Sequence, residues 1–424
     1  MIHKYFIGTN LQATTGMIIR KKSHLAKFLA KMLESKKPRV AIVSTKVLQQ
    51  ELKKKSTHHT LWLTPERLDY QLRFRTESVL VYPEVLIIGT DVLNDQYRGP
   101  KLEFSLLRIH LYNPLVKILP IKIINENILL EETFRNKRLS LRTLEEIYYD
   151  KILPQRVGLT FLIVETRKDI ISWCSVLEKF CIEPFIITNS FPTRLAQKIL
   201  IAAKKKRSPL ITTKDLAFKF ACSKDKLFVL PPSHSQNDRS HETRTFNYGD
   251  MCLLLAFEGR INNKHAVIKI LSEFYSCENI IQDVIDELIA LNILRVFPSG
   301  VMVPTFLGKT IVRTFLSLET SKRILNTNSF KSNDEVYRLI FTLSEFSREK
   351  LLKDIMDQSS HSLTVKYALE LDIFRKVLWL LRGISTILQA QKRANDVQLF
   401  RKISNEIQNE RLFRLRMIHK KVGG

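Results

Sequence analysis

The first half of the chain alternates short apolar runs with longer stretches in which apolar residues recur every three or four positions. The short runs are rich in Val, Ile and Leu, as is typical of strands that are covered on both faces of a parallel sheet. Helical stretches such as 23–34 and 168–180 lie between them. This alternation predicts a doubly wound α/β architecture. The predicted strands are 40–45, 61–63, 85–88, 159–164, 185–188, 209–212 and 227–230.

A charged helical segment at 135–150 separates these strands into two groups, so two α/β domains in tandem are the simplest arrangement. The polar segment Pro231–Asp250 follows the last strand and is the best candidate for a mobile loop. Helical patterns at 266–274 and 280–291 come next, and two short strands flank the turn at 298–300. Two helices and a hairpin favour a winged-helix module, although a generic helical subdomain with one hairpin has the same pattern. From residue 334 onward the pattern is helical, and the tail is amphipathic and basic.

The charge balance narrows the class of partner. The chain has 424 residues with 68 Lys and Arg against 42 Asp and Glu, a formal net charge of +26. A surplus of this size favours an anionic partner, namely nucleic acid or an acidic surface. The alternative is a generally basic proteome or an association with ribosomes. Apolar content of 45% and charged content of 26% are ordinary for a globular protein.

Three other classes of protein are disfavoured. No apolar run reaches the roughly 18 residues that span a bilayer, and the first ten residues are too polar for a signal peptide. The five cysteines show no C-x-x-C spacing, so neither a disulfide framework nor a zinc site is expected. No cluster of acidic or cysteine residues lies beside the histidine pairs His58-His59 and His234/His241, which are interpreted as loop residues. A reducing cytoplasm is the expected location, with no membrane partner and no metal.

Several local strings resemble the archaeal superfamily-two DNA helicases of the Hjm type. They are "TPERLD" (Thr64–Asp69), "RGPKLE" (Arg98–Glu103) and "LGKTIVRTFLSLETSKRI" (Leu307–Ile324). The resemblance implies two RecA-like domains, a winged helix and a helical ratchet domain, which together unwind forked DNA with ATP. The implied boundaries are 1–139 and 140–262 for the RecA-like domains, 263–325 for the winged helix and 326–424 for the ratchet-like domain.

The positions that correspond to the family's phosphate-binding loop depart from it. Such a loop needs glycines that wrap the phosphates, a lysine and a magnesium-binding hydroxyl. In the matching string "ATTGMIIR", Gly16 is retained, and Ile19 and Arg20 stand in the places of the lysine and the threonine. Ile18 stands in the place of a glycine, and a β-branched residue cannot readily adopt a glycine's backbone conformation.

The other catalytic motifs depart as well. Gly89 and Thr90 occupy the places of the metal-binding Asp and the water-orienting Glu of motif II. The nearby Asp91 and Asp95 could be proposed as substitutes, but a one-residue shift at a strand end turns a side chain to the other face. In motif VI, Arg260 remains, but the first arginine is Phe257 in this sequence. Each loss costs several kcal/mol of transition-state stabilisation, so ATP turnover by the usual mechanism is not expected, and no cofactor is predicted.

The expected nucleic-acid contacts come from two sources. By resemblance, the strand-contacting positions are Thr64, Arg67, Arg98, Thr166 and Arg167. Basic runs and the helix after the hairpin add further candidates, at Lys204, Lys205, Lys206, Lys309, Arg313, Arg411 and Arg414.

The leading hypothesis is an ATPase-inactive helicase relative that binds nucleic acid, with DNA favoured over RNA. It would serve as an accessory or structural subunit of a DNA repair, replication or RNA-processing complex, with a protein partner. The alternative hypothesis is a protein–protein scaffold in which the helicase fold is a docking surface. A third hypothesis, residual ATPase activity, would depend on Asp91 or Arg260.

Overall fold

The structure, a computed structural model, has mixed α/β architecture and is mostly helical. It describes residues 17–19, 40–43, 60–82, 84–88, 99–123, 128–129, 141–153, 159–164, 167–188, 190–213, 216–217, 220, 225–230, 247–275, 278–346 and 363–423. The strands are β1 (Met17–Ile19), β2 (Val40–Val43), β3 (Thr60–Leu63), β4 (Glu84–Ile88), β5 (Lys117–Ile123), β6 (Ile128–Leu129), β7 (Thr160–Val164), β8 (Phe185–Ile187), β9 (Leu210–Thr213), β10 (Lys226–Val229), β11 (Leu294–Val296) and β12 (Met302–Pro304).

The helices are α1 (Pro65–Phe74), α2 (Glu77–Leu80), α3 (Gly99–Tyr112), α4 (Leu141–Ile147), α5 (Arg167–Lys179), α6 (Thr193–Lys206), α7 (Tyr248–Glu258), α8 (Lys264–Tyr275), α9 (Glu278–Ala290), α10 (Phe306–Thr314), α11 (Leu318–Asn326), α12 (Asn333–Thr342), α13 (Leu363–Ala390) and α14 (Ala394–Gly423). A π-helical turn at Tyr148–Ile152 extends α4, and a 3₁₀ turn at Ser344–Phe346 follows α12. The chain forms two compact units. Unit 1 comprises 1–125, 244–328 and 386–394, and unit 2 comprises 126–243, 329–385 and 395–424.

Unit 1 contains a parallel sheet with the strand order β1-β5-β4-β2-β3. Its core packs Val43, Leu63 and Val85 of the sheet against Leu68 of α1 and Leu106 of α3. Burial of this kind explains the apolar runs by which β2, β3 and β4 were predicted. The sequence pattern missed β5, whose run "KILPIKI" is interrupted by two lysines and a proline although the strand lies between β1 and β4.

Unit 2 contains a second parallel sheet with the order β6-β10-β7-β9-β8. Strands β7 to β10 were all predicted from their apolar runs. Strand β6 was not predicted, because a strand of two residues shows no periodicity in the sequence. It lies before the predicted domain boundary at residue 139 and yet pairs in parallel with β10, so this part of the chain belongs to the second sheet. Fully buried Trp173 and Phe228 fill the core on one side of the sheet.

The two helices and the hairpin predicted after residue 263 are confirmed as α8, α9, β11 and β12. Gly308 is required for the way that α10 packs behind this hairpin, because a Cβ atom there would lie 2.3 Å from the carbonyl oxygen of Ile293. The interpretation of these elements as a winged helix, and the division into four domains, stay predictions.

The predicted loop Pro231–Asp250 differs from the structure at its end. Residues 231–246 lie outside the described part of the chain, but Asn247 caps α7 and Asp250 lies in the first turn of that helix. Helix α7 was expected in the second α/β domain, within 140–262, and the structure groups it with unit 1. The physical reason is its composition. Residues 249–256 are all buried, so this helix needs packing partners on nearly every side.

A buried ion network joins three helices of unit 1. The guanidinium group of Arg108 is fully buried on α3, where it donates to Asp69 of α1 at 2.6 Å and pairs with Glu258 of α7. Asp69 also accepts from Arg73 at 2.7 Å. Arg73 in turn donates to the carbonyl oxygen of Val312 at the end of α10, at 2.8 Å. These charges therefore fix the arrangement of α1, α3, α7 and α10.

The two carboxyl groups around Arg108 are held differently. Burial by itself raises the pKa of Asp69, but the guanidinium groups of Arg73 and Arg108 outweigh it, and the pKa is lowered. Glu258 has a single guanidinium partner, so burial dominates and its pKa is raised despite Arg108 and the hydrogen bond from Tyr112. Asp69 is thus the more firmly ionised of the two.

Replacing Arg108 with methionine should strongly destabilise unit 1. The substitution leaves Asp69 and Glu258 buried without their shared cation, and removing one partner of a buried pair costs about 3–5 kcal/mol. Thermal unfolding followed by circular dichroism measures the effect. The matched control is Arg323→Met, which removes a largely exposed partner of Glu319 and should cost less than about 0.5 kcal/mol. Equal melting temperatures for the two variants would contradict this role of Arg108.

Asp250 links the start of α7 to the start of α11. Its carboxylate accepts the backbone N–H of Asn247 at 3.1 Å and that of Leu318 at 3.0 Å. Complete burial outweighs both hydrogen bonds and raises the pKa of Asp250 to about 6. Because the folded-state pKa lies above the unfolded value, protonation stabilises unit 1 at low pH, and this stability is lost as the pH rises through about 6.

We therefore expect the stability difference between the parent protein and Asp250→Asn to depend on pH. The parent should gain on the order of 1 kcal/mol relative to the variant when the pH is lowered from 7.5 to 5. Urea unfolding of both proteins at the two pH values measures this gain. A difference that stays constant would show that the buried carboxyl group does not titrate in this window.

Candidate nucleic-acid interface

The predicted phosphate-binding loop differs from the structure at Ile19. Met17–Ile19 form strand β1, which pairs in parallel with β5, so these residues are not loop residues. In a parallel α/β fold a phosphate loop follows the carboxyl end of its strand. Ile19 therefore does not occupy the position of a loop lysine. The other predicted positions of this site at β1 and β4, namely Gly16, Arg20, Gly89 and Thr90, lie outside the described residues.

The motif VI positions have packing partners in unit 1. The guanidinium group of Arg260 pairs with Glu77 of α2 and lies 5.5 Å from the centre of the Tyr112 ring. Phe257 packs edge-on against Phe74 of α1 at 5.7 Å between ring centres. These contacts give both residues a structural role beside α1 and α3.

Thr64 is the N-cap of α1. Its side-chain oxygen accepts the backbone N–H of Arg67 at 3.2 Å, and Pro65 follows in the first turn. The string "TPERLD" thus has a local structural explanation, a capped helix start that places Asp69 in the buried ion network. Arg67 is exposed, and its guanidinium group lies 4.8 Å from the centre of the Tyr70 ring. Of Thr64 and Arg67, Arg67 is therefore the more accessible to a ligand.

The remaining positions taken from the resemblance are not described in full. Arg98 and Thr166 lie outside the described residues. Arg167 is the first residue of α5, and the structure does not describe its side chain. Their contacts with nucleic acid stay predictions.

The basic end of α6 is exposed as predicted. Lys204, Lys205 and Lys206 form its last turn, and the helix contains no acidic residue. Among the described residues, Lys206 has a weak pairing with Glu183 at 3.9 Å, and neither Lys204 nor Lys205 has an ion-pair partner. The buried face of α6, which includes Leu195 and Ile199, packs on the second sheet and turns the lysines to solvent.

The end of α14 lies beside α6 in unit 2. Leu415 and Ile418 of α14 pack into the same core as Leu195, and the side-chain nitrogens of Lys198 and His419 are 3.1 Å apart. This proximity brings together two basic runs that are about two hundred residues apart in sequence. We call this surface the α6–α14 face and define it by Arg194, Lys198, Lys204, Lys205, Lys206, Arg416, His419 and Lys420, all of which are exposed.

The two predicted contacts on α14 are less available than their neighbours. Arg414 pairs with Glu370 at 2.5 Å and with Glu410 at 3.1 Å, so its charge is already balanced within unit 2. Arg411 is half-buried. Arg194 and Lys198 lie outside the lysine run, so the sequence does not mark them, and they join the basic surface through the packing of α14 against α6.

Lys309 and Arg313 are exposed on α10 of unit 1, and their contact with nucleic acid stays a prediction. Two aromatic side chains of unit 2, Phe400 and Trp379, differ in their exposure. Phe400 is fully buried against Phe330 at 5.1 Å between ring centres and is a core residue. Trp379 is half-buried, with the ammonium group of Lys376 at 4.4 Å from its ring centre.

The chemistry available on these surfaces is that of anion binding. Among the described residues there is no group of three His, Cys, Asp or Glu side chains that could hold a metal ion. None of the described helices combines the length and apolar character that crossing a membrane requires. Exposed cations without acidic neighbours suit a phosphate backbone.

Comparisons with known proteins show a distant structural likeness. No protein-family model matches the chain, and neither does any curated protein. Among solved structures, the chain is similar to Mycobacterium smegmatis helicase Lhr bound to ssDNA and AMP-PNP, with a TM-score of 0.44 and 12% identity. The likeness covers 72% of this chain and 58% of that one. A likeness of this size carries no conclusion about function.

Replacing Thr64 with alanine tests whether this residue caps α1 or contacts nucleic acid. Loss of the cap should destabilise unit 1 by about 1 kcal/mol, and Thr64→Ser should restore most of the stability because its hydroxyl accepts the same N–H. Thermal unfolding and oligonucleotide titration of the same preparations separate the two roles. A fall in affinity with an unchanged melting temperature would support the strand contact instead.

Proposed function

We propose that this protein binds nucleic acid through exposed cationic faces and does not hydrolyse ATP. The observation that carries the proposal is the α6–α14 face, where two segments without a single acidic residue, 193–207 and 411–424, come together in unit 2. A formal net charge of +26 places this face on a protein that already attracts polyanions.

The arrangement of cations suits a polymer of phosphates better than a small anion. The three lysines at the end of α6 and Arg416 and Lys420 on α14 are spread over two helices and do not converge on one pocket. Each is exposed, so each contributes mainly through release of counterions from a phosphate chain. Binding should therefore be strong at low salt and should weaken steeply as salt is added.

The lack of ATP hydrolysis is proposed from the sequence. Gly89 and Thr90 follow β4, where the resembling helicases carry the two acids that hold magnesium and orient water. Phe257 replaces the first arginine of motif VI and is packed against Phe74. The departures in motifs II and VI support the lack of ATP hydrolysis without the phosphate-loop positions, since Met17–Ile19 form strand β1 and not a loop.

On this basis the protein is an ATPase-inactive relative of Hjm-type helicases and serves as an accessory or structural subunit of an assembly that handles DNA or RNA. The protein–protein scaffold remains the second candidate, supported by exposed apolar side chains at Ile201 and Phe413 close to the basic residues in sequence. The affinity for nucleic acid should fall steeply as salt is added, whereas the affinity of a scaffold for its protein partner should depend on salt less steeply.

The triple substitution Lys204→Ala, Lys205→Ala and Lys206→Ala should weaken binding of a labelled oligonucleotide and flatten its salt dependence. If all three lysines contact phosphates, the slope of log K against log salt should become shallower by about 2 to 3. Fluorescence anisotropy at several salt concentrations measures both effects. ATP with Mg²⁺ should leave the affinity unchanged and should yield no released phosphate.

A matched control removes three exposed cations elsewhere in unit 2, as Arg338→Ala, Arg401→Ala and Lys402→Ala. Lys402 lies 17 residues before His419 on α14, about 25 Å along the helix axis. Equal losses in both triple variants would assign the effect to net charge alone and remove the α6–α14 face from the proposal. Phosphate release that disappears in Asp91→Asn or Arg260→Ala would establish residual ATPase activity instead.

A further inference from the structure

Helix α10 in unit 1 has two faces of opposite character. Gly308, Ile311 and Val312 are buried, whereas Phe306, Lys309 and Arg313 are exposed. At 100° per residue the three exposed side chains fall within about 60° of one another around the helix axis. The ring of Phe306 is 71% exposed. We call Phe306, Lys309 and Arg313 the α10 face.

Unit 1 holds α10 firmly at both ends. At the start of the helix the Thr305 hydroxyl accepts the N–H of Gly308 at 3.1 Å and donates to the carbonyl oxygen of Asn292 at 2.7 Å. Gly308 allows contact with the backbone of Ile293. At the other end, Arg73 donates to the carbonyl oxygen of Val312. The exposed side chains therefore project from a fixed support, which lowers the entropy cost of binding through them.

The chemistry of the α10 face fits one strand of nucleic acid. Lys309 and Arg313 lie about 6 Å apart along the helix axis, and Phe306 lies about one turn before Lys309. The helix carries no acidic residue, so nothing on α10 opposes an anion. An exposed aromatic ring beside cations is the combination with which proteins bind unpaired bases and their phosphates.

Resting on the proposed function, we propose that the α10 face binds single-stranded nucleic acid, with a base stacked on Phe306 and phosphates on Lys309 and Arg313. Duplex nucleic acid offers this face its phosphates but not its bases, because both faces of a paired base are already covered by neighbours in the stack. The aromatic contact therefore selects for an unpaired strand, and the two cations bind either form.

The test compares Phe306→Ala with the parent protein on single-stranded and duplex oligonucleotides of equal length. Affinity for the single strand should fall about 5- to 150-fold, the range for loss of one stacked base, while duplex affinity changes less than about 2-fold. The exposure of Phe306 predicts an unchanged melting temperature. A 2-aminopurine base in the strand should be quenched by the parent protein and not by the variant.

Phe297→Ala is the matched control, because this phenylalanine is also in unit 1, is 52% exposed and lies at the hairpin turn outside the α10 face. It should leave both affinities unchanged, and Phe306→Trp should retain binding to the single strand. The double substitution Lys309→Ala and Arg313→Ala should weaken binding of both forms.

Two outcomes would overturn the stacking contact. Phe306→Ala could leave single-strand affinity at the parent value, or it could reduce single-strand and duplex affinity equally. In either case a parent protein that binds oligonucleotides with steep salt dependence would still support the proposed function. A parent protein that binds neither form at low salt would overturn the proposed function, and the α10 contact with it.

Discussion

The fully buried guanidinium group of Arg108 is the constraint on which the architecture of unit 1 depends. A buried cation must be surrounded by carboxylates, and it obtains them from Asp69 on α1 and Glu258 on α7. Helix α7 therefore belongs beside the first sheet, although it follows the second sheet in sequence. Arg73 extends the same charge network to the end of α10, so the helix that carries Lys309 and Arg313 is positioned by it.

This network also changes the interpretation of the strings that resemble Hjm-type helicases. In "TPERLD" the threonine caps α1 and the aspartate binds both buried arginines. "RGPKLE" leads into α3, the helix that supplies Arg108. Thr64 and Asp69 thus have packing roles in unit 1. Contact of these strings with a strand of DNA stays a prediction.

The available cations are those that the fold leaves without acidic partners. The sequence marked Arg260 as the retained motif VI arginine and Arg414 as a phosphate contact, but each has a carboxylate partner in the structure. Lys204, Lys205, Lys309 and Arg313 have no such partner among the described residues. A phosphate chain gains most from cations of this kind, because no internal ion pair must be broken before binding. The structure thus divides the basic residues into structural and exposed groups.

Most of the local elements are predictable from the sequence, because burial on both faces of a parallel sheet imposes apolar runs, and amphipathic helices impose their own period. It predicted the strands β2, β3, β4 and β7 to β10, both helices before the hairpin, and the exposed lysines of α6. The position of β5 between β1 and β4 is a tertiary property, since these two neighbouring strands compensate for a run broken by lysine and proline. Tertiary packing also places α7 in unit 1 and α14 against α6. The buried charge of Arg108 is paired with Glu258 of α7, and the apolar face of α6 is covered by Ile418 of α14. Both partners come from segments that are distant in sequence.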